Sequence, residues 1–461
     1  MPNIPKPLPG VMIAGTHSSV GKSSVAIGIM RLLKNMGWKV KPFKVGPDYI
    51  DPGHHKRACD QPSYNLDTVM CTQKYVKDLF KDITSVGDIA VVEGVMGLHD
   101  GASPKTEKGS TAEVAKLLGL PVLLVIDGRA MARSSAALVL GYMNLDPKLN
   151  LVGVIANNIN SPRHAEVIKT AIEYHTSAKL LACLPTSPDL NIPSRHLGLH
   201  QGIEQKQALY QNWAKHIKSH IDLKLLFKLL KLKKPISQPS KLKQKANRWG
   251  TQPRKNDFNI AIARDEAFQF IYQDTLDYLT HQGFKISFFS PIHDSLLPKN
   301  MNSYYFPGGY PELHADSLSR NRSMVKDIRK AGIAGKMIIG ECGGLIYLGK
   351  HLINKTGKKK AMVGLFDFTT TLKVRKLVLG YRKLRPIKTT LTNKNLVLKG
   401  HEFHYSNFTF NNEKSKWENS DSKSRTILKD GYSIENCHAF YSHIYWASNK
   451  EWLNHLMKIK T

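Results

Sequence analysis

The stretch Gly15-Thr-His-Ser-Ser-Val-Gly-Lys-Ser-Ser24 decides the fold of the first half of the chain. An apolar run over Gly10–Ala14 precedes it and predicts a strand. Apolar residues then recur every three or four positions, which predicts a helix over Ser23–Met36 with Gly37 as a stop signal. Small residues between a strand and a helix let backbone N–H groups surround phosphate oxygens, and the helix dipole favours the bound anion. The stretch therefore predicts a phosphate-binding α/β domain.

Short apolar runs and helical patterns alternate through the first 200 residues, which predicts a parallel sheet covered by helices. The further predicted strands are Val40–Val45, Ile89–Val92, Val122–Ile126 and Leu151–Ala156. A second α/β pattern begins at Phe258 and runs to the end. We therefore expect two α/β domains, at 1–214 and 258–461, each with a mainly parallel sheet flanked by helices.

A basic segment separates these two domains. Between Lys215 and Asp257 there are 13 Lys or Arg residues and two acidic ones. Ile221–Lys234 is predicted as a basic amphipathic helix that ends the first domain, with a membrane-surface role as the alternative. The rest of 215–257 is typical of a linker.

The formal net charge of +31 also fits binding to nucleic acid. The sequence has no zinc-finger spacing and no RNA-binding aromatic motif, so we expect no specific nucleic-acid partner. The residues MPNIPKPLPG lack the apolar run of a signal peptide, and no stretch reaches the roughly 18 apolar residues of a membrane span. The five scattered cysteines favour reduced thiols. We expect a cytoplasmic protein.

Two side chains of the glycine-rich stretch can serve a nucleotide. Lys22 would reach the outer phosphates, and the Ser23 hydroxyl would bind Mg²⁺. The backbone of the loop would surround the phosphates, at Gly15, Thr16, Ser19, Val20 and Gly21.

Four carboxylates follow predicted strands and can meet at the same sheet edge. Asp48 and Asp51 come just after Val40–Val45, and Glu93 and Asp100 come after Ile89–Val92. Each alone is compatible with an ordinary turn or helix cap. Four of them beside one phosphate loop favour a site for a metal and a substrate.

The segment Lys336-Met-Ile-Ile-Gly-Glu-Cys-Gly-Gly-Leu-Ile-Tyr-Leu348 places Cys342 at a sharp turn between a strand and a helix. Glycines permit such a turn, and a helix N-terminus favours the thiolate that attacks a carboxamide. A buried structural cysteine is the alternative. Backbone N–H groups at Gly309 and Gly343 are the candidates for an oxyanion hole.

His443, in Ala439-Phe-Tyr-Ser-His-Ile-Tyr-Trp446, is the candidate base for Cys342. His401 and His404 in Gly400-His-Glu-Phe-His-Tyr-Ser406 compete for that role. Their spacing, with a Glu between them, also allows a metal site.

The first domain contains the motifs AGTHSSVGKSS, KVGPDYIDPGHH, YNLD, VVEGVMGLHDG and PSRHLGL. These motifs resemble the ATP-binding half of the cobyrinate a,c-diamide synthases, relatives of dethiobiotin synthetase. The resemblance implies that ATP activates a substrate carboxylate as an acyl phosphate, which ammonia then displaces. It also assigns individual roles: ATP and Mg²⁺ at Lys22, Ser23, Asp48 and Glu93, the phosphates at Lys44, and substrate or intermediate at Tyr49, Asp51 and Asp100.

The motifs RDEAF, FPGGYPE, GECGG, GHEFHYS and YSHIY of the second domain resemble the class I glutamine amidotransferases of cobyrinate and cobyrate synthases. The resemblance implies that Cys342 releases ammonia from glutamine. The sequence departs from the class at Tyr445, where classical members have Glu and the diamide synthases commonly have a second His.

Together the resemblances imply glutamine- and ATP-dependent amidation of the a and c carboxylates of cobyrinate in cobalamin biosynthesis. Hydrogenobyrinate and a nickel sirohydrochlorin are alternative substrates. A ParA-like or dethiobiotin-synthetase-like ATPase without an amidotransferase, and a basic binding protein without glutaminase activity, are alternatives of other classes. The oligomeric state stays open, a homodimer included.

Overall fold

The computed structural model describes residues 9–190, 194–195, 198–199, 201–232, 248–249, 257–373, 377–387, 396–421, 426–449 and 451–453. The chain divides into two compact units, Met1–Gly250 and Thr251–Thr461.

The first unit is built around a seven-stranded parallel sheet with the strand order β3-β2-β4-β1-β5-β6-β7. Its strands are β1 Gly10–Gly15, β2 Val40–Val45, β3 Tyr64–Leu66, β4 Ile89–Glu93, β5 Val122–Asp127, β6 Leu151–Asn157 and β7 Lys179–Leu184, followed by a small pair, β8 Ser194–Arg195 and β9 Gly198–Leu199. Its helices are α1 Lys22–Asn35, α2 Ile50–Cys59, α3 Gln73–Thr84, α4 Thr111–Leu118, α5 Ser134–Asn144, α6 Pro162–His175, α7 Gln207–His220 and α8 Leu223–Leu229.

The predicted strands of this sheet are confirmed, and so is the first helix to within one residue at each end. The central strands are continuous apolar runs because the sheet is covered on both faces. β1 lies between β4 and β5, and all of its residues are buried. The carboxyl end of β1 therefore leads into the glycine-rich stretch at the middle of the sheet.

Helices α7 and α8 belong to the core of the first unit. A Cβ on Gly28 of α1 would lie 2.5 Å from Cγ1 of Ile217 on α7, so α1 and α7 pack closely there. Leu226 and Leu230 are buried in the same core. The helix predicted over Ile221–Lys234 begins two residues later than predicted, as α8, and the Asp222 side chain caps it by accepting from the Leu225 N–H at 2.9 Å. Residues 233–247 and 250–256 of the predicted linker lie outside the described part of the chain.

The second unit contains a ten-stranded sheet with the order β12-β10-β13-β15-β24-β23-β22-β19-β20-β25. Its strands are β10 Asn259–Ala263, β12 Lys285–Phe289, β13 Ser303–Phe306, β15 Met337–Glu341, β19 Val378–Pro386, β20 Leu398–His404, β22 Ser415–Ser420, β23 Thr426–Ile434, β24 Cys437–Phe440 and β25 His443–Ile444. A two-stranded sheet consists of β11 Phe268–Phe270 and β14 Gly308–Gly309. A four-stranded sheet consists of β16 Gly349–Ile353, β17 Lys359–Ala361, β18 Phe366–Thr371 and β21 Asn407–Asn411. The helices are α9 Gln273–His281, α10 Ala315–Arg320, α11 Arg322–Ile333 and α12 Gly343–Leu348.

The α/β class predicted for both domains is confirmed, and the second sheet has an additional antiparallel half. The strands from β12 to β24 in the sheet order are parallel, and those from β24 to β25 are antiparallel. Strands of the second half need only one apolar face. In β22, for example, buried Trp417 lies between exposed Lys416 and Glu418, so no continuous apolar run marks the strand.

None of the helices in the described ranges is both long and apolar enough to cross a membrane.

Candidate functional site

The glycine-rich loop of the first unit joins β1 to α1 with an unusual backbone. Ser19 and Gly21 have φ values of 68° and 96°. A Cβ on Gly21 would lie 2.3 Å from Nδ2 of Asn157, so this position requires glycine. The Asn157 amide also donates to the Val20 carbonyl at 3.1 Å and ties the loop to the end of β6. The loop thus has a fixed shape, with the N-terminus of α1 directly behind it.

Glu93, at the end of β4, is the centre of a buried network at this loop. Its Oε1 accepts from the Ser23 hydroxyl at 2.6 Å and from the Lys44 ammonium at 2.9 Å. Its Oε2 accepts from Nε2 of His55 at 2.7 Å. Burial favours the neutral acid, but Lys44 and His55 outweigh burial and lower the pKa of Glu93. The carboxylate is therefore ionised and held from three directions.

Asp48 and Asp51 join the same network through Lys44. The Lys44 ammonium lies 2.7 Å from Oδ2 of Asp51. Burial and the neighbouring charge of Asp51 raise the pKa of Asp48 to about 7, whereas Lys44 and the hydrogen bond with Asp48 overcome burial and lower the pKa of Asp51. Asp51 thus stays ionised, while Asp48 exchanges its proton near neutral pH.

The remaining predicted residues lie on neighbouring segments. Lys22 starts α1, and its ammonium donates to the Met96 carbonyl at 3.0 Å, while burial lowers its pKa. Asp100 accepts from the Gly97 N–H at 3.0 Å, and a Cβ on Gly97 would lie 2.8 Å from the Thr16 carbonyl. The loop that carries Asp100 therefore packs against the phosphate loop. Tyr49 immediately precedes α2, and its side chain is half-buried.

The oxygen donors of this network suit Mg²⁺. Mg²⁺ in nucleotide sites is typically held by one or two carboxylates together with phosphate oxygens. The Ser23 hydroxyl already contacts the Glu93 carboxylate, and Asp48, which is joined to Glu93 through Asp51 and Lys44, offers a second hard oxygen ligand. Across the described ranges, no group of three or more His, Cys, Asp or Glu side chains could hold a metal by itself. His401 and His404, the alternative metal site, are therefore not part of such a group.

His55 is a member of the network that was not predicted from the sequence. It is fully buried on α2, and its Nδ1 lies 3.0 Å from the Ser63 hydroxyl. The spacing could have indicated this role, because His55 follows Asp51 by four residues and therefore lies on the same face of the helix.

Cys342 lies between β15 and α12 in a strained conformation, with φ 47° and ψ −97°. A Cβ on Gly344 would lie 1.9 Å from the Phe306 carbonyl oxygen, so the helix after Cys342 starts in direct contact with β13. Burial and the Glu312 charge raise the pKa of Cys342 well above its usual range, against the lowering effect of the Gly343 N–H. The expectation that the helix N-terminus would favour the thiolate is therefore wrong for this conformation, because burial outweighs it.

The glycines of β14 connect Cys342 to His443. A Cβ on Gly343 would lie 2.9 Å from the Gly309 backbone nitrogen, and a Cβ on Gly308 would lie 2.2 Å from Cε1 of His443. Gly308 and Gly309 thus touch both the turn after the cysteine and the imidazole. The structure brings together Cys342, the two predicted oxyanion-hole residues and the predicted base.

His443 is buried, and burial together with His401 and His404 lowers its pKa well below the usual value. It is therefore a neutral imidazole at pH 7, the form that can accept a proton. The competing His401 pairs with His443 across β20 and β25, and the two rings stack with centroids 5.0 Å apart. His404 stacks on Tyr441 at 4.1 Å, and its Nδ1 lies 2.9 Å from the Ser406 carbonyl oxygen.

Tyr445 occupies the position where the class usually has Glu or His. Its hydroxyl donates to Oδ2 of Asp274 on α9 at 2.8 Å, and its ring packs 4.7 Å from Tyr272. The Tyr272 hydroxyl lies 3.2 Å from Nδ1 of His401. Asp274 and Tyr272 were not singled out from the sequence, because their partners Tyr445 and His401 lie more than 100 residues away along the chain.

Comparison with protein families matches both units. Residues 11–199 match the model of the CobQ/CobB/MinD/ParA nucleotide binding domain, and residues 259–451 match that of the CobB/CobQ-like glutamine amidotransferase domain. The protein is thus a glutamine-dependent ligase with a nucleotide-binding domain and an amidotransferase domain. The amidotransferase domain excludes one predicted alternative of another class, an ATPase without an amidotransferase.

Named relatives match over nearly the whole chain. A cobyrinate a,c-diamide synthase of Picrophilus torridus is 40% identical over 95% of this chain and 96% of its own length. Those of Dehalococcoides mccartyi strain 195 and Salmonella typhimurium strain LT2 are 37% and 36% identical, over 98% and 96% of both chains. The chain belongs to the cobyrinate a,c-diamide synthase family.

Proposed function

We propose that this protein converts the a and c carboxylates of cobyrinate to carboxamides, using ATP and ammonia from glutamine, in cobalamin biosynthesis. The observation that carries the proposal is the buried network of Ser23, Lys44 and Glu93 at the phosphate loop, in a chain that also presents Cys342 at a strained turn. Such a ligase needs one site that activates a carboxylate by phosphorylation and a second site that releases ammonia from a carboxamide.

The first unit would activate the substrate carboxylate. A carboxylate oxygen attacks the γ-phosphorus of ATP, the bond to the β-phosphate oxygen breaks, and an acyl phosphate and ADP result. Lys22 and the loop backbone of residues 15–23 bind the phosphates, and Lys44 balances the negative charge nearby. Ser23, Asp48 and Glu93 would hold Mg²⁺, which supplies charge neutralisation at the phosphates when bound.

Ammonia then attacks the acyl carbon, and inorganic phosphate leaves. This step needs a base for the proton that ammonia loses. We assign substrate and intermediate to Asp51 in the network, to Asp100 on the loop that packs against the phosphate loop, and to Tyr49. The excess of positive charge on the chain favours capture of a macrocycle that carries many carboxylates.

The second unit would supply the ammonia. His443 accepts the thiol proton as Cys342 sulfur attacks the glutamine carboxamide, and the Gly309 and Gly343 N–H groups stabilise the oxyanion. As the tetrahedral adduct collapses, the leaving NH₂ group takes the proton from His443 and departs as ammonia, and water then hydrolyses the remaining thioester to glutamate and the free Cys342 thiol. Because the resting pair is a neutral thiol and a neutral imidazole, proton transfer accompanies the attack.

Two nitrogen sources separate the two chemistries. Cys342→Ala should abolish amidation with glutamine and retain it with ammonium chloride, since only ammonia release needs the thiol. Amidated cobyrinate is quantified by liquid chromatography and mass spectrometry, with hydrogenobyrinate and nickel sirohydrochlorin as parallel substrates. Loss of amidation with both nitrogen sources would contradict the division of labour, and amidation of another macrocycle alone would replace the proposed substrate.

A further inference from the structure

We propose that Glu341 is a positioning residue for the glutaminase reaction, which sets the His443 imidazole through hydrogen bonds to the residues that follow it. The proposal rests on the glutaminase roles of Cys342 and His443 in the proposed function. It gives a role to a residue of the GECGG motif to which none has been assigned so far.

Glu341 is the last residue of β15 and directly precedes Cys342. Its side chain is buried and accepts three hydrogen bonds. Oε1 accepts from the Trp446 indole at 2.8 Å, and Oε2 accepts from the Tyr305 hydroxyl at 2.9 Å and from the Ile444 N–H at 3.3 Å. One side chain thus joins the strand that delivers the nucleophile to the segment that delivers the base.

The segment around His443 has little regular structure of its own. β25 consists of His443 and Ile444, and a single turn of 3₁₀ helix follows at Trp446–Ser448. A strand of two residues makes few ladder bonds, so other groups must fix its position. Glu341 binds the segment at the residue after His443 and again three residues after it.

A second buried carboxylate holds the other side of the segment. Asp430 accepts from the Tyr441 N–H at 3.1 Å and from the Ser442 N–H at 3.3 Å. On the third side, a Cβ on Gly400 would lie 2.0 Å from the His443 carbonyl oxygen, so the backbone there has no room to shift towards β20. The base is therefore placed by its backbone, between two carboxylates that bind its neighbours.

Burial raises the pKa of Glu341 to about 7, so above that pH the side chain is a carboxylate that can accept from all three donors. A carboxamide of the same shape has one accepting oxygen and one donating NH₂ group. In Glu341→Gln the NH₂ group would face either the Trp446 indole N–H or the Ile444 N–H, and either clash would displace the segment. If Trp446→Phe removes the indole donor, the NH₂ group can occupy that side, and the oxygen can still accept from Tyr305 and Ile444.

The test compares Glu341→Gln, Trp446→Phe and the double variant in the full-length protein. We expect Glu341→Gln to lower kcat for glutamine hydrolysis by about 10- to 100-fold with KM for glutamine little changed, since misplacement of a base by a fraction of an ångström slows the chemical step. The double variant should recover to the level of Trp446→Phe alone. Amidation with ammonium chloride should stay at the wild-type level in all three.

Asp327→Asn is the matched control, because Asp327 Oδ2 also accepts a backbone N–H, that of Leu297 at 2.9 Å, in the same unit. It should leave glutamine hydrolysis unchanged. Wild-type kcat in Glu341→Gln, or a double variant no better than Glu341→Gln, would overturn the positioning role while leaving the proposed function intact. A wild-type protein that amidates with ammonia but never hydrolyses glutamine would overturn the proposed glutaminase, and this inference with it.

Discussion

The Ser23 hydroxyl donates a 2.6 Å hydrogen bond to Oε1 of Glu93. This bond joins the first turn of α1 to the end of β4, the two elements that a phosphate loop and its metal-binding carboxylate require. Lys44 and His55 complete the surroundings of the same carboxylate. The ligase reaction that we propose therefore depends on an ionised Glu93 carboxylate whose orientation is fixed by its hydrogen-bond donors.

Replacement of Glu93 by Gln should stop the ligase reaction with either nitrogen source. The amide cannot bind Mg²⁺ as a carboxylate does, and we expect amidation to fall by about 100-fold or more, as when a principal electrostatic group is lost. The measurement is amidated product formed from ammonium chloride and from glutamine. Glutamine hydrolysis itself, which uses Cys342, should persist. Asp78→Asn, on an exposed i,i+4 pair with Lys74, is the control that should retain activity. Full amidation by Glu93→Gln would contradict a role for this carboxylate.

Replacement of His55 should weaken the ligase reaction without stopping it. His55→Phe removes the donor to Glu93 Oε2, and we expect kcat for ammonia-dependent amidation to fall by about 10-fold, the scale seen when a group that orients a metal ligand is lost. The Mg²⁺ concentration for half-maximal rate should rise as well. His54→Phe is a closely matched control, because His54 is equally buried on the same helix but lies 3.0 Å from the Tyr210 hydroxyl instead. Equal losses in the two variants would indicate a general effect on folding.

A methyl group at Gly308 should remove the glutaminase reaction selectively. In Gly308→Ala the new Cβ would lie 2.2 Å from Cε1 of His443, so the imidazole must move. We expect glutamine hydrolysis to fall by about 100-fold, as expected for a misplaced base, and ammonia-dependent amidation to remain. Gly141→Ala, where a Cβ meets nothing within 4 Å, should leave both rates unchanged. Normal glutamine hydrolysis by Gly308→Ala would mean that His443 is not the base.

The reactivity of Cys342 should depend on pH as a buried neutral thiol does. Burial raises its pKa above the ordinary value near 9, so the thiolate fraction is small at pH 7 and continues to grow beyond pH 9. The rate of iodoacetamide labelling at Cys342, followed by peptide mass spectrometry, should therefore rise through pH 9 without levelling off. His443 cannot supply an imidazolium partner in this range because its pKa is lowered. A plateau of labelling between pH 6 and 7 would instead show a thiolate–imidazolium pair.

The sequence predicted the first unit well because its central strands are buried on both faces and its motifs are local. The apolar run of β4 ends at Glu93, so the position of that carboxylate could be read from the run alone. Glu341 also ends a buried strand, but its role depends on Ile444 and Trp446, more than 100 residues away in the sequence. Contacts of that kind carry no periodic or local signal. Asp274 was missed for the same reason.

The antiparallel half of the second sheet was missed for a different reason. Its strands are polar on the exposed face, as in β22. Apolar and polar residues therefore alternate over only a few positions, and such a short alternation is a weak sign of a strand. The thiolate expected at Cys342 was wrong because the sequence shows the helix start but not the burial that opposes it.

The most direct test of the proposed function is the incubation of the purified protein with cobyrinate, ATP, Mg²⁺ and glutamine labelled with ¹⁵N in the side-chain amide. Mass spectrometry of the macrocycle should show two labelled carboxamides, at the a and c acetate side chains, with ADP and phosphate formed alongside. If glutamine is hydrolysed normally but the macrocycle carries no labelled carboxamide, the ammonia released at Cys342 does not reach an ATP-activated carboxylate. That result would contradict the proposed function.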